Sequence, residues 1–289
     1  MRERQKGAIK ARLVKNSRLG FRDIKSTSIL DNFLSKSYTL GIMETLKLKK
    51  EEYDQIFTEK SEGKTIRVFV SYSSADRYFA SEIKAYLENY SLSVFLAHED
   101  IRPTVDWQNE LVYNLRGCDI FMPILTSEFC NSEWTNQETG FAFALDKTIL
   151  PLKINTNPSG FISRVQAFTC EERFIKFYCK KIINLIKEKP LFKESLKDCL
   201  IRSLEKAYNF DNANDKIAIL KDFDTFSDDQ ANNLIRIFIK NNQVRMCTSG
   251  KEFALSILDK YDSVLNPVLK KIFGEIRENF YSPIIDEEK

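Results

Sequence analysis

The sequence predicts an α/β domain built on a parallel five-stranded sheet, followed by an all-α C-terminal module. Three observations predict it. Between Gly63 and about Lys187, short β-type runs alternate with amphipathic helical windows, the pattern of a parallel sheet covered on both faces. After Pro190 the strand signal vanishes and only helical periodicity continues. Hydrophobic residues make up 43% of the 289-residue chain and aromatic residues 12%, enough to bury the cores of two ordinary domains.

The first strand is expected over Thr65 to Ser71. Asp76 to Tyr90 then carries Phe79, Ile83, Tyr86 and Leu87 at helical spacing, and Leu92 to Ala97 reads as strand two. A polar connector, His98 to Val105, contains Pro103. Asp106 is placed to cap the next helix, whose Leu111, Val112 and Leu115 form an apolar stripe before Gly117 ends it. Strand three is Asp119 to Leu125, followed by a loop from Thr126 to Trp134 and a helix bearing Phe141, Ala142, Ala144 and Leu145. Strand four spans Thr148 to Ile154. A weaker fifth unit places a strand at Val165 to Thr169 and a helix at Glu171 to Lys187.

This divides the chain into a basic extension (1–64), the α/β domain (65–187) and a helical domain (188–289). In the last, Leu196, Leu200 and Leu204, then Leu234, Ile235, Phe238 and Ile239, then Phe253 and Leu258, then Val268, Ile272 and Ile276 mark successive helices without a shared repeat motif. The extension places nine Lys or Arg in its first 25 residues against Glu3 and Asp23. Such a segment reads as a transit peptide, a basic arm or the solvated face of a helix, and the short stripe Ile9, Leu13 and Val14 favours the last.

Forty-four basic against 41 acidic residues leave a formal charge of +3, which argues against a nucleic-acid partner on global electrostatics. No run approaches the roughly 20 apolar residues of a membrane-spanning helix, and Phe141 to Ile154 is broken by Asp146, Lys147 and Lys153. No apolar run of secretory type follows the N-terminal charges, so a cytoplasmic location and no membrane partner are expected. Six cysteines without a CxxC pair read as free core thiols in a reducing compartment, with no metal site.

In an open parallel sheet, ligands bind beyond the carboxyl ends of the strands, where strand order reverses. The common order 2-1-3-4-5 puts that crevice between strands one and three. The loops that follow these strands are Ser71 to Asp76 and Thr126 to Trp134, the latter leading to Glu138. No Gly-rich phosphate loop follows strand one, which disfavours a GxGxxG dinucleotide site. Trp107 and Trp134, the only tryptophans, fall at loop-to-helix junctions, where an indole either stacks on a ligand ring or packs loop against helix. Glu138 has a structural alternative as well, because Thr135-x-x-Glu138 fits a capping box.

Four blocks in this order carry a resemblance: Val68-Phe69-Val70-Ser71-Tyr72 with Asp76; His98-Glu99-Asp100-Ile101-Arg102-Pro103 before Asp106-Trp107; Ser127-Glu128-Phe129-Cys130 through Ser132-Glu133-Trp134; and Gln137-Glu138. Along roughly residues 65 to 187 the chain resembles the Toll/interleukin-1 receptor (TIR) domain family, in particular its bacterial NAD-consuming members, and the family's flavodoxin-like fold agrees with the strand order above. The resemblance implies that Glu138, four residues after Trp134, is the catalytic residue for cleaving NAD at the nicotinamide-ribose bond. It also implies that Ser71 and Tyr72 line the NAD pocket. His98 to Trp107 resembles the family's BB loop, in which Asp100 and Arg102 could contact ligand or partner.

NAD would then be the substrate, with no other cofactor, and the products nicotinamide and either ADP-ribose or a cyclised form. The family further implies homo-oligomers formed through TIR domains and a role in immunity against phage, with the trigger sensed by residues 1–64 or 188–289. A non-enzymatic TIR adaptor, acting through homotypic assembly, is the competing expectation.

Overall fold

All six residues of Ile120–Leu125 are buried, as a central strand covered on both faces requires. The computed structural model describes residues 63–97 and 107–279, so the connector His98 to Val105, the Asp106 cap and residues 1–62 of the extension lie outside the described residues. In chain order the strands are β1 (Arg67–Ser71), β2 (Ser93–Leu96), β3 (Ile120–Leu125), β4 (Thr148–Ile149), β5 (Leu152–Lys153) and β6 (Phe168–Thr169). They pair in parallel in the order β2-β1-β3-β5-β6, with β4 also on β3. The switch of direction between β1 and β3 is where the sequence puts it.

The expected strand Thr148 to Ile154 is split into β4 and β5. Pro151 has no N–H to give to a ladder, so pairing stops after Ile149 and resumes with Leu152 opposite Ile124. Phe69 of β1 and Phe121 of β3 stack with centroids 5.9 Å apart, and Leu111, Leu115 and Ala142 pack on them from the covering helices.

Those helices are α1 (Arg77–Asn89), α2 (Trp107–Gly117), α3 (Ser127–Asn131), α4 (Glu133–Ala144) and α5 (Ile175–Lys187). α1 and α4 end alike. Ser91 (φ 58°) and Asp146 (φ 53°) take the left-handed position after each C-cap, and the amides of Leu92 and Lys147 reach back to the carbonyls of Leu87 and Ala142. The stretch Thr126 to Trp134, expected as loop, instead contains α3 and the start of α4, because Thr126 and Ser132 each supply an N-cap. α5 starts at Ile175 rather than at Glu171, with a 3-10 turn over Glu172–Phe174 before it.

The chain continues as α6 (Lys193–Glu205), α7 (Phe210–Leu220), α8 (Asp228–Lys240), α9 (Asn242–Met246), α10 (Gly250–Tyr261) and α11 (Pro267–Asn279). α8 starts with a capping box between Ser227 and Gln230. Inside this module the fully buried Lys216 donates to the Ser203 carbonyl and to Asn212 Oδ1, both at 2.8 Å. These helices join the α/β part along α1 and α5 and at the amino end of β1. Lys180 of α5 pairs with Asp215 at 2.6 Å, and Asn212 donates to Asn89 at 3.2 Å. At the amino end of β1, the Lys64 amide donates to Asp198 at 3.0 Å and Arg202 donates to the Lys64 carbonyl at 3.1 Å.

Candidate functional site

Parallel strands bring their carboxyl ends to one edge, so Ser71 and the residues after Leu125 arrive side by side. The last rung between β1 and β3 pairs Ser71 with Pro123. A proline in a central strand is uncommon because it cannot donate to the ladder. Here it stands where the two strands part, at the mouth of the crevice. Thr126 then binds the two following loops together: its hydroxyl accepts from the Phe129 amide at 3.1 Å and donates to Asp76 Oδ2 at 2.7 Å.

The next turn orients Glu138. Ser132 caps α4 by accepting from the Thr135 amide at 3.4 Å, and Thr135 Oγ1 turns away to the carbonyls of Phe129 (2.5 Å) and Ser132 (3.0 Å). Thr135 is therefore inside the helix and not its cap, and the capping box with Glu138 does not form. Glu138 lies one turn after Trp134 on the same face. Its side chain crosses to β1, where Ser71 Oγ donates to Oε2. The other oxygen, Oε1, is buried and has no hydrogen-bond partner among the described residues.

Glu138 is 2% exposed and Ser71 0%. Burial pushes the Glu138 carboxyl up from its ordinary 4.5 to about 7, while the hydrogen bond from Ser71 acts in the opposite direction. A carboxyl that titrates near neutrality can act as acid, as base or as a charge stabiliser. The buried thiols are different. Burial raises Cys118 to about 11 and Cys170 and Cys179 to about 12, so they remain protonated and are poor nucleophiles at neutral pH.

Of the other expected site residues, Trp107 opens α2 and Trp134 sits in the first turn of α4. Their rings meet edge to face at 4.5 Å, and each side chain stays about 40% exposed. The indoles thus pack on each other and still present free surface beside the crevice. Tyr72 is fully enclosed, and its ring offers no face to a ligand in this structure. Asp100 and Arg102 lie outside the described residues. The sequence reading missed two links, Thr126 to Asp76 and Ser71 to Glu138. The first had a local signal, a threonine just before a short helix; the second joins residues 67 positions apart and had none.

A cleft of about 550 Å³ opens at the opposite end of the sheet, lined among others by Arg67, Asp119, Lys147 and Leu191. Polar groups that line it are already paired. Arg67 and Asp119 pair at 3.4 Å, and Lys147 donates to the carbonyls of Arg116 and Cys118. The candidate for chemistry is therefore Glu138 rather than this cleft. Among the described residues no cluster of three or more His, Cys, Asp or Glu is arranged to hold a metal ion, and no helix is long and apolar enough to cross a membrane.

No curated protein matches the chain. Among solved structures it is similar to the CMP N-glycosidase BcmB of Clostridium botulinum, at 20% identity over 40% of this chain and 97% of that one, with a TM-score of 0.30. It is also similar to a 2-desoxiribosyltransferase from Leishmania mexicana, at 17% identity over 32% of this chain and 67% of that one, with a TM-score of 0.27. Both likenesses are too distant to support an argument about this site. Residues 68–178 match the TIR domain family, and this span runs from β1 into α5 and includes both Ser71 and Glu138. With its parallel sheet in the order 2-1-3-5-6 and covering helices, this stretch of the chain is a TIR domain.

Proposed function

We propose that this TIR domain cleaves NAD between nicotinamide and ribose, with Glu138 as the catalytic carboxylate. The observation that carries the reading is a buried glutamate with one unpartnered oxygen, held at the carboxyl edge of the sheet beside the β1–β3 crevice. The reaction asks little more of the protein. Nicotinamide leaves a cationic pyridinium as a neutral base, so no general acid is needed, and the transition state gains oxocarbenium-like charge on the ribose. An ionised Glu138 stabilises that charge and accepts a hydrogen bond from a ribose hydroxyl at Oε1. In a site poor in water, this electrostatic contribution is large.

NAD is then a substrate, and the exposed faces of Trp107 and Trp134 give its rings a surface on which to stack. Water as acceptor yields ADP-ribose; a nucleophile within the same NAD molecule yields a cyclic product. Because Glu138 is only 2% exposed, turnover requires the shell around it to open. TIR domains commonly self-associate, and assembly in response to a trigger sensed by residues 1–64 or 188–289 is the reading we adopt for that opening. By the family resemblance, we assign the activity to defence against phage.

The burial of Glu138 also favours a second reading, a TIR adaptor without enzymatic activity that works through assembly alone. Incubating NAD at millimolar concentration with the protein and resolving the products by mass separates the two. Nicotinamide release supports the enzyme, and the mass of the partner product distinguishes hydrolysis from cyclisation. No release, even when the domains are forced together by a fused oligomerisation tag, favours the adaptor.

A further inference from the structure

Ser71 of β1 and Glu138 of α4 meet side chain to side chain, hydroxyl to carboxylate. Ser71 is fixed in the sheet by its rung with Pro123 of β3, one residue after the β1–β2 rung Val70–Leu96. Glu138, in contrast, ends a side chain with three rotatable bonds that would lose substantial freedom on being fixed. A serine hydroxyl has one proton to donate. Here it is directed at Oε2, so while that bond is kept no proton is left for a ligand.

We propose that Ser71 is the positioning residue of the site: its hydroxyl holds Oε2 and leaves Oε1 as the single oxygen that Glu138 offers to the ribose. The proposal rests on the reading of Glu138 as the NAD-cleaving carboxylate, and it replaces the direct NAD contact expected for Ser71 from the sequence. A carboxylate held through one oxygen is pre-organised, so no reorganisation is required when charge develops on the substrate. The same bond favours the ionised form, which the chemistry needs, against the burial that disfavours it.

Other ionisable groups stand on the elements around Glu138. The elements packed against α4 carry Arg67 on β1, Glu110, Tyr113 and Arg116 on α2, and Glu128 and Cys130 on α3. Glu133 lies on α4 itself, and Tyr72 and Asp76 follow β1. Burial raises the Glu138 carboxyl and the Ser71 hydrogen bond lowers it.

The test compares Ser71→Ala, Ser71→Cys and Ser71→Thr with the wild-type protein, reading NAD turnover against pH. Loss of a hydrogen bond to a charged group should lower kcat at pH 7 about 10- to 100-fold in Ser71→Ala, with KM little changed. The acid limb of its pH profile should move to higher pH, so that part of the loss is recovered near pH 9. Ser71→Cys, close in volume but a weak donor, should behave like the alanine variant, and Ser71→Thr should restore the wild-type limb. A loss independent of pH, or one expressed mainly in KM, would overturn the proposal in favour of a structural role or a direct NAD contact.

A second readout does not depend on turnover. Carbon NMR titration of the Glu138 carboxyl in the free protein should show an upward shift in Ser71→Ala, and an unchanged titration overturns the proposal. If the wild-type protein releases no nicotinamide, the assignment of function fails instead, and the titration alone decides whether Ser71 sets the state of Glu138.

Discussion

Burying Glu138 carries a cost to stability, and the cost has a definite sign. Its folded pKa of about 7 lies above the ordinary 4.5, so the folded protein binds this proton more tightly than the unfolded chain does. The stability gained from the proton is complete below about pH 4.5 and is lost as pH rises through about 7. Above that, burying the ionised carboxylate costs roughly 3 kcal/mol. Glu138→Gln keeps the size and accepts the Ser71 hydrogen bond without the charge. It should therefore melt higher than the wild-type protein at pH 8, by roughly 5–10 °C, with the gap closing towards pH 5. A gap that does not change with pH in calorimetry would refute this assignment of the pKa. Glu138 stood out in the sequence by its spacing from Trp134. The carboxylate's partner did not, since nothing local connects Ser71 to a residue 67 positions later.

At the scale of elements, the crevice is built by residues that end or start regular structure. Pro123 ends the β1–β3 ladder, Thr126 caps α3 while binding Asp76, and Ser132 caps α4 and so fixes the turn on which Glu138 stands. Thr126→Val removes both hydrogen bonds of Thr126 with almost no change in shape. Loss of a cap and of a partly buried bond to a carboxylate should cost about 2 kcal/mol in urea denaturation; a loss below about 0.5 kcal/mol would mean that the loops are held otherwise. The apolar runs of β1, β2 and β3 and the stripes of α1 and α2 were legible because hydrophobic period reports burial directly. What misled was punctuation. Pro151 broke an apolar run that periodicity alone joined, and two hydroxyl caps turned a polar stretch, Thr126 to Trp134, into a short helix and the start of the next. Thr135 illustrates the same difficulty, for its spacing from Glu138 fits a cap that Ser132, three residues earlier, already provides.

At the scale of the molecule, the C-terminal helices meet the TIR domain through Lys180–Asp215 and Asn89–Asn212 and through Lys64 and Thr65, which precede β1. Lys64 and Thr65 lie about 20 Å along the strand direction from Ser71, at the end of the sheet opposite the site. Under the proposed function, a trigger sensed by these helices would act on the site through the strands or by bringing TIR domains together. If assembly opens the shell around Glu138, specific activity should rise with protein concentration, and a constant value over a hundredfold range would exclude that mechanism. The proposed reaction requires Glu138 as its catalytic carboxylate. Nicotinamide released from NAD is to be quantified by mass-resolved chromatography for the wild-type protein and for Glu138→Gln, at the same high protein concentration and with both shown to be folded by calorimetry. A release by the wild-type protein that falls at least about 100-fold in the variant is the predicted result. Equal release by the two proteins would contradict the account.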